Sequence, residues 1–540
     1  MRKYDNVFIN GKVFTSDDDN LYADSFAVKD GKFVWIGKEE DIDLSEENCI
    51  DLGGKRVLPG FLDSHMHPIM LAANERQITC LPPNVNSIEE LIEAIKEARE
   101  AKGPNQWILG WGYDEGKLAE GRTPTRYDLD KGASDVPVCI VRSCGHTRCV
   151  NSKVLEMAGI DKNTPNPPGG EIGKDENGEP NGILRENARD YIMDLMPIDT
   201  EDDVIDNLLN ISDVLLSQGV TTISDMGNLE PVDYYNTYLK AREQGFKQKV
   251  SMFYIWDYFK NDKEFTIKPN TLSSDIPIRV AGLKLIADGG ISGRTAWCDR
   301  PYLGGNGDEY GISTCTEQDI LDAISFCKKH NAQLSVHCMG QRSTDMAVNV
   351  ISKEKDWLEG NTPYARIEHA SMPTKNSIEK ASKAGIAFVT QPIFLYAEVE
   401  RYMENLGLEW LQSTFPIADM IEAGINLAFS TDAPATPLAS ASDPILCLKA
   451  AVTRKAHDGT DCGAKHKVDI ETAIKLYTAA CGPIMGFDNV GMIKEGYCAD
   501  FIILDKDILE VDSDDIDKVK VESTYVDGKK VYENKYILTC

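Results

Sequence analysis

The stretch GFLDSHMHP, residues 60–68, joins an apolar run to two of the 8 histidines in a chain of 540 residues. The preceding RVLPGF is typical of a buried strand, and DSHMHP forms its polar end. Because side chains alternate along a strand, His65 and His67 are expected on one face. Two imidazoles that converge there are costly to bury for packing alone, but they are ordinary metal ligands. The stretch therefore predicts a metal site at the end of a strand.

Seven more segments have the same form, an apolar run that ends in a polar or glycine-containing turn: GVTTISDMG, KVSMFYIW, IRVAGLKLIADGG, QLSVHCMG, ARIEHAS, GIAFVTQP and GINLAFSTDA. Amphipathic helices precede several of them, as EQDILDAISFCKKH precedes NAQLSVH. Repeated helix–strand units predict parallel strands, and eight such strands predict an α/β fold of the (β/α)8 TIM-barrel type.

The two ends of the chain have a different pattern, with short alternating strands such as NVFIN and ADFIILDKD and Asp-Gly hairpin turns. We therefore predict that residues 1–57 and 487–540 form one small composite β domain and that residues 58–486 form the barrel. The interval 68–200 is too long for one crossover helix. It is predicted to be an insertion after the first barrel strand, with its own helix, SIEELIEAIKEAREA, and its own strands, VPVCIVRS among them.

Composition excludes several classes of function. With 57 Lys and Arg against 87 Asp and Glu, the net charge is −30, which argues against nucleic acid or an anionic membrane as a partner. No run approaches the roughly 20 apolar residues of a membrane span, and the N-terminus lacks the apolar core of a signal peptide. The 14 cysteines include no C-x-x-C pair. A reducing cytoplasm is therefore the expected compartment.

Residues of the types that bind metals lie at the ends of the predicted barrel strands, which is where the catalytic groups of such barrels lie. Lys284 stands near the end of the fourth strand, and His337, His369 and Asp432 stand at the ends of the fifth, sixth and eighth. Four of the 8 histidines thus fall at strand ends, whereas three others fall in helix ends or loops: His330, His457 and His466.

The order H-x-H, Lys, His, His, Asp on eight strands resembles the amidohydrolase superfamily of metal-dependent hydrolases. The segments VLPGFLDSHMHP, LKLIADGGISGRTA, VHCMG, RIEHAS, FSTDAPA and GMIKEGYCADFIILD are similar to the branch that includes the N-substituted formamide deformylases. This resemblance implies a barrel, a small β-sandwich built from both termini, and one or two divalent metal ions, most commonly zinc.

By position, the resemblance implies that His65, His67 and Asp432 bind the more buried metal and that His337 and His369 bind a second one. Lys284 resembles the lysine that many members carry as a carbamate, a bidentate oxygen bridge between two metals. Alternation places this lysine inside the barrel, where an unpaired ammonium group is expensive to bury.

The implied activity is that of a metal-dependent hydrolase that cleaves an amide-type C–N bond in an N-formyl, N-acyl or cyclic amide. Bound zinc can lower the pKa of water from 15.7 to about 7, which supplies a metal-activated hydroxide at neutral pH. Asp432 is expected to take the proton of the nucleophile and pass it to the leaving amine. A small molecule is the expected substrate, and a homodimer is an assembly that the sequence allows.

The sequence disfavours two other functions. Deaminases on the same barrel usually carry a Glu three residues after the fifth-strand histidine, whereas HCMG puts Gly340 at that place, which disfavours deamination. A non-catalytic assembly protein of the dihydropyrimidinase-like kind keeps the barrel but loses ligands. Every ligand position is intact in this chain, so that alternative is also disfavoured.

Two positions allow more than one role. His146 in SCGHTRC either orients a substrate oxygen, as a second catalytic residue, or only fixes a turn. Asp432 lies in STDAP, which is also a helix-capping sequence. Glu368, next to His369, is expected to face outward toward the helices and to pair with Arg366.

Overall fold

The computed structural model describes residues 3–44, 48–101, 103, 106–143, 147–167, 170–197, 199–227, 232–304 and 307–535. The chain divides into two compact units. The first comprises Met1–His67, Ser212–Ala433 and Ser442–Cys540, and the second comprises Pro68–Ile211 and Pro434–Ala441. Within the described ranges, no helix is long and apolar enough to cross a membrane.

Eight parallel strands form the central sheet of the first unit, and each pairs with the next along the chain. In chain order these barrel strands are Phe61–Met66, Val220–Asp225, Lys249–Ile255, Ile278–Ile286, Gln333–Cys338, Ala365–His369, Ala387–Thr390 and Leu427–Phe429. The sheet closes beyond the first and eighth strands, since Asp432 N donates to His65 O and His67 N donates to Ala433 O, each at 2.8 Å. The predicted eight-stranded barrel is confirmed.

Helices alternate with these strands, as the amphipathic segments predict. The helix Glu317–His330 shows why. Thr316 and Asp319 form a capping box at its start, and Asn331, with a left-handed φ of 55°, ends it. The other helices of the first unit are Tyr235–Gln244, Trp256–Phe259, Gln341–Ile351, Lys375–Ala384, Ile393–Ala397, Val399–Leu406, Leu408–Leu411, Ile417–Glu422, Pro444–Thr453, Ile470–Leu476 and Cys481–Met485, with short 3-10 helices at Glu39–Asp41, Pro269–Thr271, Ala464–His466 and Ser513–Lys518.

Strands from both ends of the chain form two sheets with a shared apolar core. One sheet has the order Lys32–Gly37, Ser25–Lys29, Asn6–Ile9 and Cys49–Asp51, and the other has the order Lys529–Glu533, Val521–Val526, Phe501–Leu504, Arg56–Pro59, Lys12–Phe14 and Tyr22–Ala23. Phe8 and Phe26 of the first sheet pack against Phe501 and Tyr525 of the second. This arrangement is the β-sandwich of the predicted fold class, while the predicted bounds 1–57, 58–486 and 487–540 stay a prediction.

The second unit carries its own sheet and helices, as predicted for an insertion. Its strands have the order Gly170–Lys174, Pro180–Glu186, Thr147–Val150, Val138–Arg142, Ile108–Tyr113 and Ile78–Thr79. Its helices are Pro68–Glu75, Ile88–Ala101, Arg126–Gly132, Ser152–Ala158 and Asp190–Met193, with a 3-10 helix at Asn187–Arg189, and Glu201–Ser217 crosses the boundary between the units. Leu91 and Ile95 of its longest complete helix pack on Ile108 and Val138 of the sheet. The bounds 68–200 stay a prediction.

Candidate metal centre

His65, His67 and Asp432 meet at the carboxyl end of the barrel. The Nε2 atoms of His65 and His67 lie 3.4 Å and 3.3 Å from Asp432 Oδ1, and all three ligand atoms lie within 4.8 Å of one another. His65 and Asp432 are buried, whereas the His67 side chain is 20% exposed. Two imidazole nitrogens and one carboxylate oxygen form a donor set that suits zinc and similar divalent metals.

A polar atom without a partner marks the centre of this group. Asp432 Oδ1 is buried and accepts no hydrogen bond from any described residue. A buried carboxylate oxygen in that state costs free energy unless a cation or another donor satisfies it. Burial alone raises the pKa of Asp432, but His65, His67 and His369 outweigh this effect and hold that pKa well below its usual range. The residues therefore fit a metal ion.

Both ligand histidines are oriented by oxygen atoms behind them. His65 donates from Nδ1 to Glu368 Oε2, and His67 donates from Nδ1 to Gly227 O, each at 2.6 Å. Because these oxygens can only accept, Nδ1 of each ring carries a proton, and Nε2, which faces Asp432, is the nitrogen left to bind a metal ion. Such partners fix the tautomer and the ring orientation of metal-binding histidines.

His337 and His369 continue the cluster. Their ring centroids are 4.3 Å apart, and the ring of His369 is 4.8 Å from that of His65. His337 Nε2 lies 3.3 Å from Gly289 O, and His369 Nδ1 lies 2.9 Å from Gln391 Oε1. Burial lowers the pKa of His337 to about 3 and also holds the pKa of His369 well below its usual value. Both rings are therefore neutral at pH 7, the form that binds metals.

Lys284 is buried in the same cluster. Its side chain lies within electrostatic range of Glu368 and Asp432. Burial lowers the pKa of Lys284 to about 8, and the two carboxylates oppose this shift only in part. The structure thus brings all six residues of the predicted ligand set together.

The backbone is strained at two of these residues, His369 and Asp432. His369 and Asp432 have φ values of 68° and 57°, in the left-handed region that residues with a Cβ rarely adopt. Such conformations cost about 1–3 kcal/mol each and persist where the surroundings hold them. Backbone bonds to the first strand hold Asp432, and Ala370 N, which donates to Cys338 O, holds the turn after His369.

The predicted orientation of Glu368 is wrong. The pairing with Arg366 is present, at 2.5 Å, but the carboxylate also accepts from His65 and from Ser335 Oγ, at 2.7 Å. The first and sixth strands are not neighbours in the sheet, so a bond to His65 must cross the barrel interior. Because the left-handed turn at His369 breaks the alternation of side chains, Glu368 and His369 both face inward.

Sequence reasoning also missed Asp63, which ties the first strand to the eighth. Its carboxylate accepts from Thr431 Oγ1 at 2.5 Å, Tyr477 OH at 2.9 Å and His65 N at 3.2 Å. Burial raises the pKa of Asp63 to about 6, against the effect of these donors. A carboxylate that directly follows the apolar run RVLPGFL is the signal that points to such a buried network.

His146, the second predicted catalytic residue, lies outside the described residues, so its role stays a prediction. Two other histidines lie apart from the cluster: His457 is partly exposed beside Glu400, and His466 is buried beside Asp419.

Comparison with known proteins agrees with this geometry. A family model described as "Amidohydrolase family" matches residues 48–532. The protein YtcJ of Bacillus subtilis is 28% identical over 541 residues, covering 98% of this chain and 99% of that protein. The N-substituted formamide deformylase of Arthrobacter pascens is 25% identical over 548 residues, covering 98% of each.

A solved structure supports the same assignment. The crystal structure of a metal-dependent hydrolase from Pyrococcus horikoshii superimposes with a TM-score of 0.73 at 26% identity, covering 94% of this chain and 99% of that one. The match of the family model extends over most of the chain, including every barrel strand. This protein therefore belongs to the amidohydrolase family of metal-dependent hydrolases.

Proposed function

We propose that this protein hydrolyses an amide-type C–N bond in a small molecule, with N-formyl, N-acyl and cyclic amides as the candidate substrates. The observation that carries the proposal is the buried group of His65, His67 and Asp432 with the unpartnered Oδ1 at its centre. The similarity to a formamide deformylase along almost the whole chain supports the choice of bond.

In this proposal His65, His67 and Asp432 hold one divalent metal ion, with zinc favoured by the donor set. His337 and His369 would hold a second ion, and Lys284, as a carbamate, would supply oxygen ligands. The carbamate forms when the neutral Nζ bonds to the carbon of CO2 and releases a proton. A bound divalent metal supplies Lewis acidity at this point and lowers the pKa of water to about 7.

Asp432 moves the proton. Water adds to the amide carbonyl carbon, and an Asp432 carboxylate oxygen takes the proton that this water loses. The same oxygen then gives the proton to the amide nitrogen as the C–N bond breaks, so the products are a carboxylic acid and an amine. The low pKa of Asp432 keeps this carboxylate ionised before the reaction, so it is able to accept a proton.

Deamination is disfavoured by the surroundings of Gly340. This glycine occupies the position where many deaminases carry an acid, and a Cβ built on it would lie 2.1 Å from Trp297 O. The backbone leaves no room there for a side chain without a shift of the neighbouring loop. A purely structural role is disfavoured because all six ligand positions are occupied by ligating residues.

A substrate panel with defined metal loading tests the proposal. Zinc-loaded protein is expected to release amine from at least one N-formyl, N-acyl or cyclic amide. Treatment with a chelator is expected to abolish this activity, and added zinc is expected to restore it. The reason is that the metal ion stabilises the charge that develops in the transition state. Amine release and bound metal are measured on the same samples. Full turnover by metal-free protein, or ammonia release from aminopurines instead of amide cleavage, would contradict the proposal.

Lys284→Ala tests the proposed carbamate. We expect the variant to lose the metal bound in excess of one equivalent and to lower kcat/KM by about 10²-fold, since the carbamate oxygens that would bind metal disappear. Acetate or formate should restore part of both quantities by filling the space with a carboxylate. Bound metal is measured by atomic emission and turnover by amine release.

Lys249→Ala is the matched control, because Lys249 is also buried but pairs with Asp500 at 2.7 Å, outside the cluster. This variant is expected to lose stability, to keep its metal and to show no response to acetate. Unchanged metal content and rate in Lys284→Ala would rule the carbamate out.

A further inference from the structure

Asp288 collects four hydrogen bonds in the interior beside the metal centre. It is the second residue after the fourth barrel strand, and its side chain is fully buried. Its Oδ2 accepts from Gly340 N at 2.8 Å, Trp297 N at 2.9 Å and Ser343 Oγ at 2.6 Å. Its Oδ1 accepts from Met339 N at 3.0 Å. The donors come from two separate segments, one after the fourth strand and one after the fifth.

This carboxylate has no basic partner among the lysines and arginines that the structure describes. The nearest ring nitrogen is His337 Nε2, 3.5 Å from Asp288 Oδ1. Burial raises the pKa of Asp288 to about 6, and the four hydrogen bonds oppose that shift. Only a carboxylate offers two oxygens that both accept and never donate. An asparagine would turn its NH2 group toward one of the N–H donors and lose a bond there.

The two segments around Asp288 are in close contact. They are residues 289–297, the fourth-strand loop, and residues 339–343, the fifth-strand loop. A Cβ on Gly340, in the fifth-strand loop, would lie 2.1 Å from Trp297 O, in the fourth-strand loop. Trp297 O also accepts from Arg342 N at 3.0 Å. Each loop therefore depends on the other for its arrangement, and Asp288 is bonded to both.

His337 is held by the same structure. Its Nε2 donates toward Gly289 O, at 3.3 Å, and Gly289 directly follows Asp288. Because that nitrogen carries the proton, Nδ1 is the nitrogen left free for a ligand. A change in the position of Gly289 would turn this ring away from its place in the cluster.

From these contacts we infer that Asp288 is a positioning residue that fixes the fourth-strand and fifth-strand loops in one arrangement and thereby orients His337. The four hydrogen bonds to Asp288 are present whatever reaction the protein catalyses, but their effect on turnover rests on the proposed function. The two can therefore fail separately, and the test needs a readout other than activity.

Hydrogen–deuterium exchange of the metal-loaded Asp288→Asn variant supplies that readout. Asparagine offers one accepting oxygen in place of two, so Met339 N on one side or Trp297 N and Gly340 N on the other lose their acceptor. Because each loop is held by the other, peptides that cover both loops are expected to exchange at least tenfold faster than in the unsubstituted protein. Peptides of the first barrel strand should keep their protection. Asp500→Asn is the matched control, since Asp500 is a buried carboxylate bonded to Lys249 and is remote from both loops along the chain. It should leave exchange in both loops unchanged.

Turnover gives a second, separable result. We expect kcat/KM of Asp288→Asn to fall by about 10–100-fold, the usual effect of removing a group that orients a metal ligand. Ser343→Ala, which removes one donor of the four, should have a smaller effect in the native chain and none when combined with Asp288→Asn. Unchanged exchange, faster exchange in only one loop, or a uniform increase along the whole chain would overturn the inference, whether or not any amide is cleaved.

Discussion

Replacing His65 with alanine is expected to lower kcat/KM by about 10³-fold or more and to remove most of the bound metal. This ring contributes a ligand atom 3.4 Å from Asp432 Oδ1 and is itself oriented by Glu368. A loss of about 4 kcal/mol of transition-state stabilisation corresponds to a factor of 10³, and a metal supplies several kcal/mol at such a site. The measurements are bound metal per chain and amine release from the best amide of the panel.

His457→Ala is the control for this experiment. His457 is a partly exposed histidine that bonds to Glu400 at 2.7 Å and lies outside the cluster. Its removal is expected to change metal content and kcat/KM by less than twofold. Equal losses in the two variants would mean that the ligand assignment is wrong.

Glu368→Ala is expected to lower the free energy of unfolding by about 3–5 kcal/mol, because it leaves a buried guanidinium without its carboxylate. Arg366 and Glu368 are both fully buried, and Arg366 bonds otherwise to Ser64 O, at 2.5 Å. Burial alone raises the pKa of Glu368, but Arg366 and His65 outweigh it and hold that pKa well below its usual range. Urea unfolding of metal-free protein measures the loss apart from any effect of metal binding.

A double variant separates the lost charge pair from lost packing. Arg366→Met combined with Glu368→Met removes both charges and keeps much of the volume, so it should be more stable than Glu368→Ala alone. If the double variant is equally unstable or worse, the unpaired guanidinium is not the cause of the loss.

The strand ends explain how much of this site the sequence predicts. Parallel strands in a barrel all deliver their carboxyl ends to one rim, so residues as distant as His65 and Asp432 can be assigned to one site from strand order alone. The helix over residues 317–330 and the helix that ends before Gly385 are also visible in the sequence, because caps and apolar spacing are local signals.

Contacts across the barrel cannot be predicted in the same way. The bond from His65 to Glu368 joins strands that are not neighbours, and it depends on a left-handed backbone at His369 that no local preference of histidine indicates. The carbonyl of Gly227 and the four donors around Asp288 are equally invisible, since backbone atoms leave no pattern in a sequence. Residue types could identify the ligands, but not the atoms that hold them in place.

The six-stranded sheet of the β-sandwich affects how the protein folds during its synthesis, because it contains strands from both ends of the chain. Arg56–Pro59, near the start of the chain, pairs with Phe501–Leu504, near its end. On the ribosome, the early strand of the nascent chain stays without this neighbour for tens of seconds, until nearly all of the polypeptide has been synthesised. During that time its open edge and the apolar face around Phe8 are exposed to other chains. Recombinant production therefore benefits from abundant chaperones, which can cover this edge until Phe501–Leu504 has been synthesised.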